Sequence, residues 1–310
     1  MRRSLLLLAL GAAAAVSGLS IGTADAKHSA RAEVRQWTIH YRAHDGRTRV
    51  AYVLLPAWYG SRHNPPLPLV ISPHGRGVDG RANARLWGNL PAVDRLAVVS
   101  PDGEGRRLPL YSWGAPGQIA DLKRMPRLVK AALPWLRVAR HSTYAIAGSM
   151  GGQETLLLVA RDPELAGAAV FDAPTDFALQ YSEFPDLPCD RICLSQWREP
   201  IGTALQRLAR VEVGGSPNQV PGAYEQRSPL HYVAAIARSG VPLQFWWSTR
   251  DRLIPEPARQ EGRFLRALER LRPRGRVMHV VGSWRHVRAM RRNLPAALAW
   301  FHLSPSRRSS

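Results

Sequence analysis

The chain has 310 residues, 45% hydrophobic and 21% charged, enough to bury a large core as one domain, so two domains are not required. Its formal net charge is +20, and all but three of the 43 basic residues are arginines, spread along the whole chain. With no recognisable nucleic-acid module, this balance is read as a solvated cationic surface that attracts anionic polymers such as a cell envelope, and no nucleic-acid partner is expected.

The first residues combine a basic head at Arg2 and Arg3, an apolar run from Leu5 to Val16, and an Ala24-Asp25-Ala26 end. The run is too short to span a bilayer, so the pattern predicts a signal peptide over 1–26, cleaved after Ala26, and a secreted or periplasmic protein. No later segment is apolar for long enough to predict a transmembrane helix. Next come two alternating stretches, Arg35 to Tyr41 and Thr48 to Leu55, around a turn at Asp45 and Gly46, which predict an antiparallel hairpin.

From Pro68 onward the chain alternates between short apolar runs and helical patterns. Strands are predicted at Pro68 to Ser72, Leu96 to Ser100, around Ile146, Ala168 to Phe171, Pro242 to Trp247 and Arg276 to Val281. Helices are predicted at Arg81 to Leu90, Ile119 to Leu136 with a bend at Pro126, after Ser149, Glu256 to Leu271, and near the end up to Phe301. This is an α/β pattern, a mostly parallel sheet covered on both faces. Residues 174–238 break the rhythm and read as a lid-like insertion, and the tail 304–310 reads as disordered. Cys189 and Cys193 are the only cysteines. Export makes a disulfide between them the expected state, in a turn rather than an ideal helix.

The sequence around Ser149 carries the chemistry. An apolar strand runs into Ala147-Gly148-Ser149-Met150-Gly151, and an apolar helix follows. A sharp strand-to-helix turn needs small residues two before and two after its apex, here Ala147 and Gly151. It also aims helix N-terminal N–H groups at any oxyanion formed there. The bland alternative is a tight turn with an N-capping serine. Two later strands end in loops carrying Asp251 and His286. Serine, acid and base in that order suit nucleophilic catalysis. Ser149 attacks, His286 carries the proton, and Asp251 fixes the imidazole tautomer. Asp176 is the runner-up acid, His279 lies within a strand, and Asp102 reads as structural. Glycines flanking His74 and Arg76 let backbone N–H groups turn inward, so the N–H groups of Arg76 and Met150 are the expected oxyanion donors. Trp113, Trp197 and Trp284 are the expected pocket aromatics.

With these motifs the mature chain, 27–303, resembles the α/β-hydrolase superfamily. The run from Ser100 to Gly105, Tyr111-Ser112-Trp113, Asp121 and the Ser149 turn look like secreted esterases of the polyhydroxyalkanoate-depolymerase and feruloyl-esterase kind. The segment from Gly222 to Leu230 resembles prolyl-oligopeptidase-like hydrolases. The resemblance implies hydrolysis of a small-molecule or polymeric ester through an acyl-serine, with no cofactor and no metal. The competing readings are a peptidase or acyltransferase on the same residues, and a non-catalytic cationic envelope-binding protein.

Overall fold

The computed structural model describes residues 33–304 except Arg106 and Pro255. The signal peptide over 1–26 and all but the first residue of the 304–310 tail lie outside the described residues. The first strands, β1 (Val34–Arg42) and β2 (Thr48–Pro56), form the expected antiparallel hairpin. They are followed by β3 (Leu67–Ile71), α1 (Gly80–Ala84), α2 (Leu90–Val93), β4 (Ala97–Pro101) and α3 (Pro116–Ala132). Next come β5 (Val138–Gly148), α4 (Met150–Val159) and β6 (Gly167–Phe171).

The segment expected as an insertion is helical. It contains α5 (Phe177–Glu183), α6 (Arg191–Trp197), α7 (Ile201–Val213), α8 (Pro221–Glu225) and α9 (Val233–Ser239). The chain then returns to alternation with β7 (Leu243–Ser248), α10 (Glu261–Arg270), β8 (Val277–Gly282) and α11 (Met290–Trp300).

The eight strands form one sheet in the order β1-β2-β4-β3-β5-β6-β7-β8. β2 pairs antiparallel with β1 and β4, and every other pair is parallel. β4 and β6 are buried along their whole length, which is why they read as unbroken apolar runs. One apolar cluster, including Leu69, Ile71, Val99 and Phe245, packs on one sheet face. A second, including Val70, Val98, Ile146 and Phe171, packs on the other. A third cluster around Trp113, Phe177, Phe184 and Tyr224 joins the helical segment to the rest.

Three helix expectations shift for local reasons. The helix foreseen at 81–90 is broken, because Gly88 adopts φ +51 and closes a 3₁₀ turn over Arg85–Trp87. The next helix starts at Pro116, where proline suits the first turn, and it carries Pro126 inside. The helix foreseen from Glu256 begins only at Glu261, after hydrogen-bonded turns over Glu256 to Gly262.

Chain order places the site. β3 has β4 on one side and β5 on the other, so the connections leaving the C-terminal ends of β3 and β5 diverge there. Such a switch point opens a crevice at the sheet edge. The loop at residues 73–77 follows β3, and Ser149 follows β5, so both stand on that crevice.

Candidate active site

Ser149 sits between β5 and α4 at φ 57°, ψ −132°, a backbone region that non-glycine residues rarely enter. Its N–H donates to the Phe171 carbonyl at 2.8 Å. The small neighbours are required by close approach. A Cβ on Gly151 would lie 2.3 Å from the Pro73 carbonyl oxygen, and one on Gly148 would lie 2.8 Å from Val287 Cγ1. The turn is thus clamped between the loop after β3 and the loop after β8.

The three side chains foreseen on separate loops meet in a line. Ser149 Oγ lies 2.8 Å from His286 Nε2, and His286 Nδ1 lies 2.6 Å from Asp251 Oδ2. A carboxylate only accepts, so Nδ1 carries the proton and Nε2 is left to accept from the serine hydroxyl. Asp251 is itself held, because its Oδ1 accepts from the N–H groups of Leu253 at 2.7 Å and Ile254 at 3.0 Å. Ser149 and Asp251 are buried, and the His286 side chain is 11% exposed, so the line is reached from solvent at one end.

Asp172, which sequence reasoning passed over, stands beside this line at φ 47°. Its carboxylate accepts from Trp284 Nε1 at 3.0 Å and from the Val287 N–H at 2.7 Å, gripping the loop on both sides of His286. Burial pushes the Asp172 carboxyl up to about 6, against the opposing pull of His286. The signal was present, since Asp172 directly follows β6. The alternative acid Asp176 instead caps α5 through the Leu179 N–H and pairs with Arg263 at 3.2 Å.

Behind the serine, Trp113 N–H donates to Met150 Sδ at 3.2 Å, and the Ser112 hydroxyl donates to Glu154. Burial pushes the Glu154 carboxyl up to about 7. In front, the loop after β3 comes close, and a Cβ on Gly75 would be 3.7 Å from Ser149 Cβ. His74 is buried and neutral in preference, because burial lowers its pKa, and its Nδ1–H donates to the Gly75 carbonyl at 2.7 Å. Asp102 accepts from the Gly80 N–H at 2.9 Å, a structural role.

Among the described residues, two cavities reach the serine. One, of about 20 Å³, is bounded by Trp113, Met150, Phe184 and Ile254 and has room for about one water. The other, of about 380 Å³, is bounded by Gly75, Arg76, Leu86, His286, Val287 and Arg291. Trp113 lines the small one but is 2% exposed and stacks on Phe177 at 5.6 Å, so most of its ring is core. Trp197 ends α6 and lines neither cavity, and Trp284 lines neither but donates its indole N–H to Asp172. His279 is exposed on β8.

The fold has a broad likeness among solved structures. Puromycin hydrolase aligns over 87% of this chain with a TM-score of 0.61 at 18% identity, and the chain spans 39% of that protein. Acylaminoacyl peptidase of Pyrococcus horikoshii aligns over 89% with a TM-score of 0.61 at 14% identity, and 43% of it is covered. S-formylglutathione hydrolase FrmB of Staphylococcus aureus aligns over 87% with a TM-score of 0.58 at 18% identity, and there 99% of that chain is covered. This is the α/β-hydrolase fold. No protein-family model and no curated protein sequence matches the chain.

In this α/β-hydrolase fold, Ser149, Asp251 and His286 all lie just past the C-terminal ends of parallel strands β5, β7 and β8. A second cluster lies away from the serine, where His44 Nδ1 is 2.8 Å from Glu104 and 3.2 Å from Asp121. These three could offer ligands to a cation. Arg49 Nε at 3.3 Å from Glu104 and Arg124 at 2.6 Å from Asp121 already supply positive charge. Burial and the neighbouring Asp121 push Glu104 up to about 9, so it holds a proton at neutral pH. The cluster ties the β1–β2 turn to α3. Cys189 and Cys193 form a disulfide, with Cα atoms 5.2 Å apart. Cys189 lies outside α6 and Cys193 within its first turn, the non-helical geometry the spacing called for.

Proposed function

We propose that the protein is a secreted serine hydrolase that cleaves carboxylic esters through an acyl-serine intermediate. The observation that carries this reading is the hydrogen-bonded line Ser149–His286–Asp251 at 2.8 and 2.6 Å, facing a cavity of about 380 Å³. Ser149 Oγ attacks the ester carbonyl carbon while His286 Nε2 takes its proton. The oxyanion that forms is held by the main-chain N–H groups of Arg76 and Met150, the latter at the first turn of α4. Collapse breaks the C–O bond, and the departing alcohol takes the proton from His286. Water then attacks the acyl-serine with His286 again as base, releasing the acid and restoring the serine hydroxyl.

The relatives in fold include an acylaminoacyl peptidase beside the two hydrolases, so the same residues also suit amide cleavage. An ester is favoured because alkoxide leaves more readily than an amine, and amide turnover is the second reading. Ser149→Ala is expected to abolish both ester turnover and fluorophosphonate labelling of the purified protein, with the thermal melt retained. Labelling that survives in the variant would overturn the nucleophile assignment. A parallel panel of aryl esters and peptide amides decides between the two substrate classes. A wild-type protein that turns over and labels with nothing, yet binds anionic envelope polymers, would favour the binding-protein alternative.

A further inference from the structure

The larger cavity beside Ser149 has an unusual charge pattern. Its walls are aliphatic at Val78, Leu86, Leu253 and Val287, and it is also lined by Arg76 and Arg291. No acidic side chain is among its described lining residues. Neither arginine has an ion pair among the described residues. Partial burial of the half-buried Arg76 disfavours its guanidinium charge, with Tyr111 and Asp251 among the groups whose field favours it. No ion pair joins Arg76 to Asp251, whose oxygens accept from His286, Leu253 and Ile254. Arg291 reaches the turn at Gly88, where a Cβ would lie 3.9 Å from its Nη2.

Arg76 is half-buried and Arg291 is exposed, and an unpaired guanidinium partly withdrawn from water favours an anionic partner. Guanidinium groups match carboxylates through two parallel hydrogen bonds. We propose that this cavity takes an ester whose short apolar acyl chain ends in a carboxylate, a hemi-ester of a dicarboxylic acid, with Arg76 and Arg291 holding the free carboxylate. The inference rests on Ser149 being the nucleophile, as proposed above. The aliphatic walls take the methylene chain, and the volume lies within the range of small-molecule sites. Arg76 would then act twice, through its main-chain N–H on the oxyanion and through its side chain on the substrate's distant end.

The test compares mono-p-nitrophenyl glutarate with p-nitrophenyl pentanoate, which share chain length and leaving group and differ in the terminal charge. Wild-type protein is expected to favour the glutarate in kcat/KM. Arg76→Gln should lower the glutarate-to-pentanoate ratio by about tenfold or more, and Arg291→Gln should lower it less, whichever way the absolute rates move. Arg140→Gln, at the far end of β5, controls for the general field of a +20 chain and should leave the ratio at its wild-type value. A ratio unmoved by both cavity variants, or lowered equally by Arg140→Gln, overturns the proposal. Calorimetry with free glutarate gives a readout independent of turnover, with binding expected in wild type and lost in Arg76→Gln. Absent binding counts against the carboxylate site, whereas absent fluorophosphonate labelling of wild type counts against the nucleophile. If Arg76→Gln does not fold, Arg291→Gln carries the same comparison.

Discussion

The two sides of the cleft are built in different ways. On the sheet side, Ser149, Asp172, Asp251 and His286 stand on loops that leave parallel strands, and the two carboxylates are also tied to the backbone N–H groups of Leu253, Ile254 and Val287. On the other side, α5, α7 and α8 pack around an aromatic cluster of Trp113, Phe177, Phe184 and Tyr224. That side leaves Ile192 68% exposed and Leu194 43% exposed on α6. The sheet side fixes directions through hydrogen bonds that tolerate little displacement, whereas the helical side sets shape through packing that admits exchange of apolar groups. The proposed reaction geometry belongs to the first region, and the second bounds the small cavity beside Ser149 through Gln180 and Phe184.

The sharpest way to break this contrast is at the acid. Asp251→Asn keeps the shape but loses the charge and offers an amide that cannot enforce the same imidazole tautomer. A fall in kcat on the order of 10⁴ is expected, with the thermal melt close to wild type. His286→Ala should fall at least as far. A wild-type rate in Asp251→Asn, with collapse in Asp172→Asn, would move the acid to the end of β6 and redraw the sheet side of the site.

The next test concerns the packing behind the serine. Glu154 on α4 accepts from Ser112 and holds the loop that carries Trp113, and burial sets its carboxyl at about 7 in place of the ordinary 4.5. The folded state therefore holds a proton that the unfolded chain releases near pH 4.5. Stability from this group is full below that value and is lost as pH rises through 7, by up to ~3 kcal/mol. Glu154→Gln has no proton to lose, so its melting temperature relative to wild type should rise between pH 5 and pH 8. A constant gap across that range would show that Glu154 is ionised in the fold.

The smallest effect is expected on the helical side. Cys189 and Cys193 close a short loop, so Cys189→Ser should cost about 2 kcal/mol or less in denaturant unfolding. Ester turnover at Ser149 should stay within a few-fold of wild type. A loss of turnover as large as that of Asp251→Asn would mean that the helical side holds the reacting groups after all.

The sheet side was the legible one. Strands that end in Ser149, Asp251 and His286 announce themselves by apolar runs that stop at polar loops, and chain order then selects the fold. Asp172 was equally visible as the first residue after β6, but sequence gives no means of knowing that it turns toward Trp284 and Val287 rather than toward solvent. Trp113 and Trp197 show the converse. An aromatic near a motif in sequence carries no sign of whether its ring faces a cavity or a core, and Trp113 is mostly core because Phe177 and Phe184 arrive from the helical segment. The break at Gly88 depends on a positive φ that an otherwise helical pattern hides. The Arg76 side chain was invisible for a similar reason. Among forty arginines, one that lines a cavity beside the serine is distinguished only by its surroundings.

Among the described residues the sheet is also open at both ends, since β1 pairs only with β2 and β8 only with β7. Each edge presents a row of backbone donors and acceptors to which a second strand could add. Exposed Arg35 and Arg42 stand on β1, and exposed Arg274, Arg276 and Arg285 flank β8. Two copies approaching edge to edge must therefore bring guanidinium against guanidinium, with a +20 chain behind each. This repulsion is a colloidal safeguard whose reach is the Debye length, about 10 Å at 0.1 M salt and about 3 Å at 1 M. Arginine stays charged far above neutral pH. Concentrated salt or a polyanion can therefore lift the safeguard, and alkaline conditions leave it in place.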